Sequence, residues 1–365
     1  MKKKVKAKES VWKGPEVDGI TQSKLGLFLK CRERFRVSMV EGLRPQDMFR
    51  HSLEYGQMWH VCEEALALGG NPITKNPVVS SPWEDQLLGY CSSLAQKYRL
   101  DSDAINKWYC ICKMQFPLYV EYWKKHPDTK SRKSICAEEV FNVPYELPSG
   151  RVVKLRGKWD SVDWLGSKKG GGIYLQENKT KGDIKEEQLK RQIGSGFDLQ
   201  TMLYLVAMQS SDSFNPKEIN GVLYNVVRRP LAGGKHSIRQ HKPTKSNLQG
   251  ESADAFYKRL GGLIAEEPSW YFMRWKVEVT PADLERYKRE FLNPILEQLC
   301  DWWEWIQSVE IPGCEFQDID GRHWRTPYGF WSVLEQGGTD EIDEYLNTGS
   351  MVGLEKTNQL FGELQ

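Results

Sequence analysis

The sequence predicts an α/β protein: a mixed central sheet flanked by helices, with an N-terminal helical region covering one edge. Three observations predict it. Apolar residues recur at helical spacing through the first third, strand-like runs separated by turn material fill 136–180, and a strand–helix–strand succession between 172 and 229 implies a parallel crossover.

The elements follow in order. Helices are expected near 22–40, opening at Thr21 or Ser23, and near 52–68, closing at the Gly69-Gly70 pair, with two more near 82–98 and 103–125. The pattern then turns to strands at 136–145, 150–164 and 172–180, joined through Pro148-Ser149-Gly150 and the glycine- and lysine-rich stretch 166–172. A helix over 185–209, open to interruption at 194–196, leads to a strand at 221–229. A helix near 251–266, a strand at 270–280 and a long helix over 281–308 complete the order.

At 365 residues the chain has room for one elaborated domain or two smaller ones, and a single domain over 21–334 is expected, with a helical part over 21–130 and an α/β core over 131–310. The start, MKKKVKAKES, is basic but no apolar segment follows it, and no run of about 18 apolar residues occurs, so a soluble cytoplasmic protein with a flexible basic N-terminus over 1–20 and no membrane partner is expected. Residues 335–365 are expected to be a solvated acidic tail. The 8 cysteines include no Cys-x-x-Cys pair, which argues against a zinc ribbon and for reduced thiols.

The net charge of +2 does not by itself mark a nucleic-acid binder, but its distribution does more. No Asp or Glu occurs from Ile219 to Gly250, where Arg228, Arg229, Lys235, Arg239, Lys242 and Lys245 fall. Such a strip suits a polyanion, or equally a solvated loop.

Acid-x-Lys triplets occur at 128–130, 177–179 and 183–185, so the triplet alone says little. Glu177-Asn178-Lys179 differs by ending an apolar strand that follows, across a hairpin, another strand carrying Asp160. Alternation puts Glu177 and Lys179 on one face, with Asp160 able to lie opposite Glu177. Two close carboxylates call for a hard divalent cation, Mg²⁺ or Mn²⁺, to which the Asn178 backbone carbonyl can add a third oxygen. Lys179 can then orient or help deprotonate a water, or stabilise charge on a phosphate, which describes metal-assisted phosphodiester hydrolysis.

Gly157-x-x-Asp160, Glu177-x-Lys179, and Gln200 with Tyr204 one helical turn on resemble the PD-(D/E)XK nuclease superfamily, specifically its RecB-like branch. Ser23, Leu25, Phe28, Cys31 and Phe35 fit that branch's N-terminal signature, and Gly56 with His60 fits its Gly-x-x-x-His motif. The resemblance implies a restriction-endonuclease-like core, with His60, Asp160 and Glu177 as metal ligands and Lys179 as the catalytic lysine. Gln200 and Tyr204 would contact the substrate strand and buttress the site. Lys181, Arg228, Arg229 and Lys235 are candidate nucleic-acid contacts, and Glu63 and Glu64 are candidates to hydrogen-bond the His60 ring.

Two departures from the branch stand out. Trp159 replaces the proline before Asp160, and the tail after Cys314 lacks the cysteines that would complete an iron–sulfur cluster with Cys31, so no cluster is expected and aromatic packing is expected to clamp the chain ends. The implied function is a divalent-metal-dependent DNase, favouring an exonuclease on single strands or duplex ends, in repair, recombination or degradation. A structure-specific endonuclease and a non-catalytic nucleic-acid-binding subunit are the alternatives. No Walker motif is present, so any motor would be a separate helicase partner.

Overall fold

The computed structural model describes residues 10–45, 47–69, 83–126, 131–167, 170–182, 187, 198–230, 239–245, 248–308 and 354–364. Its centre is a mixed sheet. Strand β3 (Arg132–Glu146) forms a long hairpin with β4 (Val152–Leu165), β4 pairs antiparallel with β5 (Gly172–Lys181), β5 parallel with β6 (Ile219–Arg228), and β6 antiparallel with β7 (Phe272–Glu278). The parallel β5/β6 pair is the crossover that the sequence implies. A two-residue strand β1 (Ile20–Thr21) runs parallel to β4 at Leu155–Arg156.

Burial explains the strand types. β3 alternates buried Phe141, Val143 and Tyr145 with exposed residues, as expected where one face is solvated. β5 is buried without interruption from Gly172 to Asn178, and β6 nearly so, because helices cover both of their faces. The hairpin turn between β3 and β4 closes at Gly150, whose φ of 83° lies in the left-handed region that a side chain disfavours.

On one face of the sheet pack α1 (Gln22–Lys30), α6 (Leu199–Gln209), α9 (Pro281–Tyr287) and α10 (Asn293–Ser308), with Leu25, Leu203, Leu284 and Leu296 in their shared core. The opposite face carries α3 (His51–Gly69), α4 (Trp83–Lys97), α5 (Ser102–Lys125) and α7 (Ala253–Glu266), around Tyr55, Trp59, Phe116 and Leu260. Among the described residues no helix is long and apolar enough to cross a membrane.

Several elements depart from the sequence reading. The expected helix 22–40 breaks at Cys31, whose extended backbone ends α1 and whose Sγ accepts the Arg34 N–H, capping α2 (Arg32–Phe35). The expected strand at 270 starts at Phe272, because Pro268 opens a short helix α8 (Pro268–Tyr271). The long helix over 281–308 contains a wide π turn at Lys288–Leu292, just before Pro294, which has no N–H to continue a regular ladder. Most of the expected helix before Asp198 lies outside the described residues, as do acid-rich positions 340–344.

Described residues near both ends are anchored. Trp12, inside the stretch expected to be flexible, is fully buried, packs edge-on against Phe35 and Trp303, and donates its indole N–H to the Gly19 carbonyl at 3.0 Å. Phe28 and Phe35 pack on Trp302, so the aromatic contact joins the N-terminal segment to α10. Strand β8 (Leu354–Lys356), within the expected acidic tail, pairs with β2 (Leu43–Pro45), and Phe361 lies against the Arg156 guanidinium. Basic and acidic runs hid these anchors. Trp12→Ala is expected to cost about 3 kcal/mol or more of unfolding free energy, measured as a lowered urea midpoint with unchanged slope.

Candidate active site

The site lies where β4 and β5 part. Their ladder ends at the Ser161–Gln176 pair, one step before Asp160 and Glu177. Beyond that pair, the Asn178 N–H donates to Asp160 Oδ2 at 2.8 Å, a side chain standing in for the lost strand partner. A strand residue presents its N–H and C=O to the same lateral side, so the Asn178 carbonyl is directed to the Asp160 side as well. β4 is irregular here: Trp159 and Val162, three residues apart, join the same core, which regular alternation forbids.

The neighbouring strand adds a residue that the sequence reading missed. Glu138 of β3 sits between the pairs Ala137–Ser161 and Glu139–Trp159, level with Asp160, and has a φ of 51°. Among the described residues it is the one non-glycine residue with a left-handed φ, a strained conformation of the kind that clusters at functional sites. His60 of α3 brings Nδ1 to 3.4 Å from Glu138 Oε1 and 3.8 Å from Asp160 Oδ1. Donor atoms of His60, Glu138 and Asp160 all lie within 4.8 Å of one another, a spacing compatible with one cation. Glu138-Glu139 in a strand beside Asp160 was the available signal, but alternation does not foresee the left-handed turn that aims Glu138.

On the other side of the fork, Lys179 Nζ donates to Glu177 Oε2 and to Gln200 Oε1, both at 2.8 Å. Gln200 and Tyr204 come from α6. Tyr204 stands one turn after Gln200, and its ring meets Phe141 edge-on at 5.2 Å. The structure thus brings His60, Asp160, Glu177, Asn178, Lys179, Gln200 and Tyr204 together, with Glu138.

Two glycines allow this approach. A Cβ on Gly157 would lie 2.4 Å from the Phe141 ring and 2.8 Å from the Tyr204 ring. A Cβ on Gly56 would lie 3.1 Å from Thr180 Oγ1, so the glycine lets α3 sit close to β5 one turn before His60. Both motif glycines have a packing reason.

The remaining candidates are placed differently. The His60 ring meets Glu138 rather than Glu63 or Glu64, and Glu63 instead accepts from Trp59 and Asn225. Arg228 is buried, with its guanidinium 3.9 Å from the Trp270 ring and its Nε donating to the Trp270 carbonyl, so little of it reaches solvent. Arg229 is half-buried near Trp108, Lys181 is exposed at the end of β5, and Lys235 lies outside the described residues.

The electrostatics follow from this crowding. Burial raises the Asp160 and Glu177 carboxyls, Glu177 to about 7, although His60 and Lys179 respectively pull them back. Burial alone would lower His60, but Asp160 and then Glu138 outweigh it and raise the imidazole to about 9. Lys179 is likewise raised, because the charges of Glu177 and Asp160 outweigh its burial, so it stands as an ammonium at neutral pH. Glu177 Oε1 is buried with no hydrogen-bond partner. An orphaned carboxylate oxygen beside a second acid fits a hard divalent cation, and the donor set of carboxylates, imidazole and carbonyl suits Mg²⁺ or Mn²⁺.

Stability should therefore depend on pH with a definite sign. His60 and Glu177 both have folded values above their unfolded ones, so each stabilises the metal-free protein at low pH. The His60 contribution is complete below about 6.5 and is lost as pH rises through about 9; that of Glu177 is complete below about 4.5 and is lost through about 7. The metal-free Tm is expected to fall between pH 6 and 9 relative to a His60→Gln, Glu177→Gln variant, as followed by thermal unfolding. Separately, Gly157→Ala is expected to cost about 1–3 kcal/mol by overpacking, and Phe141→Leu added to it should recover part of that loss in urea denaturation.

No curated protein matches the chain. A model of the PD-(D/E)XK nuclease superfamily matches residues 19–304. The matched span takes in the strands that part at Asp160, the acid-x-Lys strand and the helices bearing His60, Gln200 and Tyr204, and by this match the chain belongs to the PD-(D/E)XK nuclease superfamily.

Proposed function

We propose that the protein is a divalent-metal-dependent deoxyribonuclease of the RecB-like branch, acting as an exonuclease on single strands or duplex ends. Membership of the superfamily implies a metal-dependent nuclease, and the substrate and mode of attack go beyond it. The observation that carries the reading is buried Glu177 beside the half-buried Asp160 at the strand fork, with an unpartnered Glu177 oxygen and Lys179 alongside. The RecB-like assignment is supported by His60 reaching Asp160 from the helix that Gly56 brings against β5.

In this reading Asp160, Glu177 and the Asn178 carbonyl hold the cation, and His60 and Glu138 complete the donors on the β3 side. Bound there, Mg²⁺ or Mn²⁺ would activate a water and neutralise charge developing on the scissile phosphate. Lys179, held by Glu177 and Gln200, offers its ammonium to that phosphate. As a protonated amine it suits charge stabilisation better than proton abstraction. Gln200 sets the lysine head, and Tyr204 stands one helical turn on along the same face of α6. Lys181 and Arg229 are proposed to contact the nucleic-acid backbone, with Lys235 on the same strip and a helicase as a separate partner.

Purified protein with Mn²⁺ or Mg²⁺ is expected to degrade linear DNA and to stop on adding EDTA. Asp160→Ala and Lys179→Ala should each lose at least about 100-fold in rate while retaining the wild-type circular dichroism spectrum. Intact linear DNA under these conditions would sink the nuclease reading. Cleavage of covalently closed circles would replace the exonuclease with an endonuclease, and digestion of RNA alone would replace the substrate. Glu138→Gln should weaken Mn²⁺ binding by about tenfold, measured by titration calorimetry.

A further inference from the structure

Beneath the site, on the α3 face of the sheet, lies a buried polar chain that the chemistry above does not use. Glu63 accepts from Asn225 Nδ2 at 3.0 Å, and the Asn225 side-chain oxygen accepts from Arg274 Nε at 2.9 Å. Arg274 also donates to the Tyr119 hydroxyl. The chain therefore runs through α3, β6, β7 and α5. Glu63, Asn225 and Tyr119 are all buried. Polar groups at that depth add little net stability unless each is paired, whereas a hydrogen-bonded chain fixes the relative positions of the elements that carry it.

The chain is wired to the site at two points. Asn225 Nδ2 also donates to the Asn178 side-chain oxygen at 2.7 Å, and Gln176 Nε2 donates to the same oxygen at 2.9 Å. Asn178 is the residue whose backbone amide meets Asp160, on a stretch of β5 that has lost its β4 partner. Its peptide orientation therefore depends on what grips its side chain. Glu63 follows His60 by three residues on α3, so the same chain of hydrogen bonds holds the helix from which His60 reaches Glu138 and Asp160.

We infer that Glu63, with Asn225, Arg274 and Tyr119, is a positioning device that registers the His60 helix against the Asn178 peptide, so that donors from α3 and β5 converge on one cation. This rests on the metal-site reading above. None of the four residues touches the cation or substrate. Their effect is on the geometry of the groups that do.

The test compares Mn²⁺ affinity, by titration calorimetry, with thermal stability for the full chain and its Glu63→Gln, Glu63→Leu, Tyr119→Phe and Asp160→Ala variants. Gln retains an acceptor oxygen for Asn225 and Trp59, so Glu63→Gln should bind Mn²⁺ nearly as the wild type does. Glu63→Leu should bind about tenfold or more weakly. If Glu63→Leu does not fold, Tyr119→Phe, which removes the hydroxyl that accepts from Arg274, should still show weakened Mn²⁺ binding. A chain that serves stability alone would lower Tm in Glu63→Leu and Tyr119→Phe and leave Mn²⁺ affinity unchanged, which overturns the inference while Asp160→Ala still loses binding. If the wild type itself does not bind Mn²⁺, the metal-site reading falls and this inference with it.

Discussion

Three carboxylates, Glu138, Asp160 and Glu177, stand at one level of three neighbouring strands, and this concentration of negative charge governs the local structure. Like charges directly across a sheet are destabilising, and burial makes them more so. The surrounding residues each answer part of that cost. Lys158 pairs with Glu138, His60 approaches Glu138 and Asp160, Lys179 pairs with Glu177, and the Asn178 amide points at Asp160. Glu177 Oε1 is left over, buried with no hydrogen-bond partner.

That constraint explains why some of the site was legible in the sequence and some was not. Asp160, Glu177 and Lys179 follow from alternation within a hairpin, which needs only local information. His60, Gln200 and Tyr204 were reached through motif order, since no local rule brings an α3 or α6 side chain to a particular strand. Gly157 and Gly56 belonged to those motifs without a reason until the Phe141, Tyr204 and Thr180 contacts supplied one. Glu138 was missed because regular strand geometry was assumed where the backbone turns left-handed. Arg228 was misjudged for a related reason: a cation after an apolar run reads as exposed, yet Trp270 covers it.

The crossover between β5 and β6 was legible because spacing alone demands a parallel pair. Aromatic clamping was expected, but its particular anchors were not, because a single tryptophan among lysines and a short strand in an acidic stretch carry no periodicity. Burial of one large aromatic side chain can outweigh the charge of the segment around it.

Those ends bear on the site. Once β4 leaves β5, the lateral edge it exposes at Leu155–Arg156 is taken by β1, and the Lys154 N–H is taken by the Pro15 carbonyl at 2.9 Å. Gly19, with a φ of 79°, lets the N-terminal segment pass close to Lys154, where a Cβ would lie 2.5 Å from its carbonyl oxygen. The segment is fixed in turn by Trp12 against Phe35 and Trp303. An edge left bare would favour re-pairing of β4 with β5, since unpaired strand groups seek partners. Beyond the fork, then, β4 is not a bare edge: the N-terminal segment satisfies its backbone groups on the side that β5 has left.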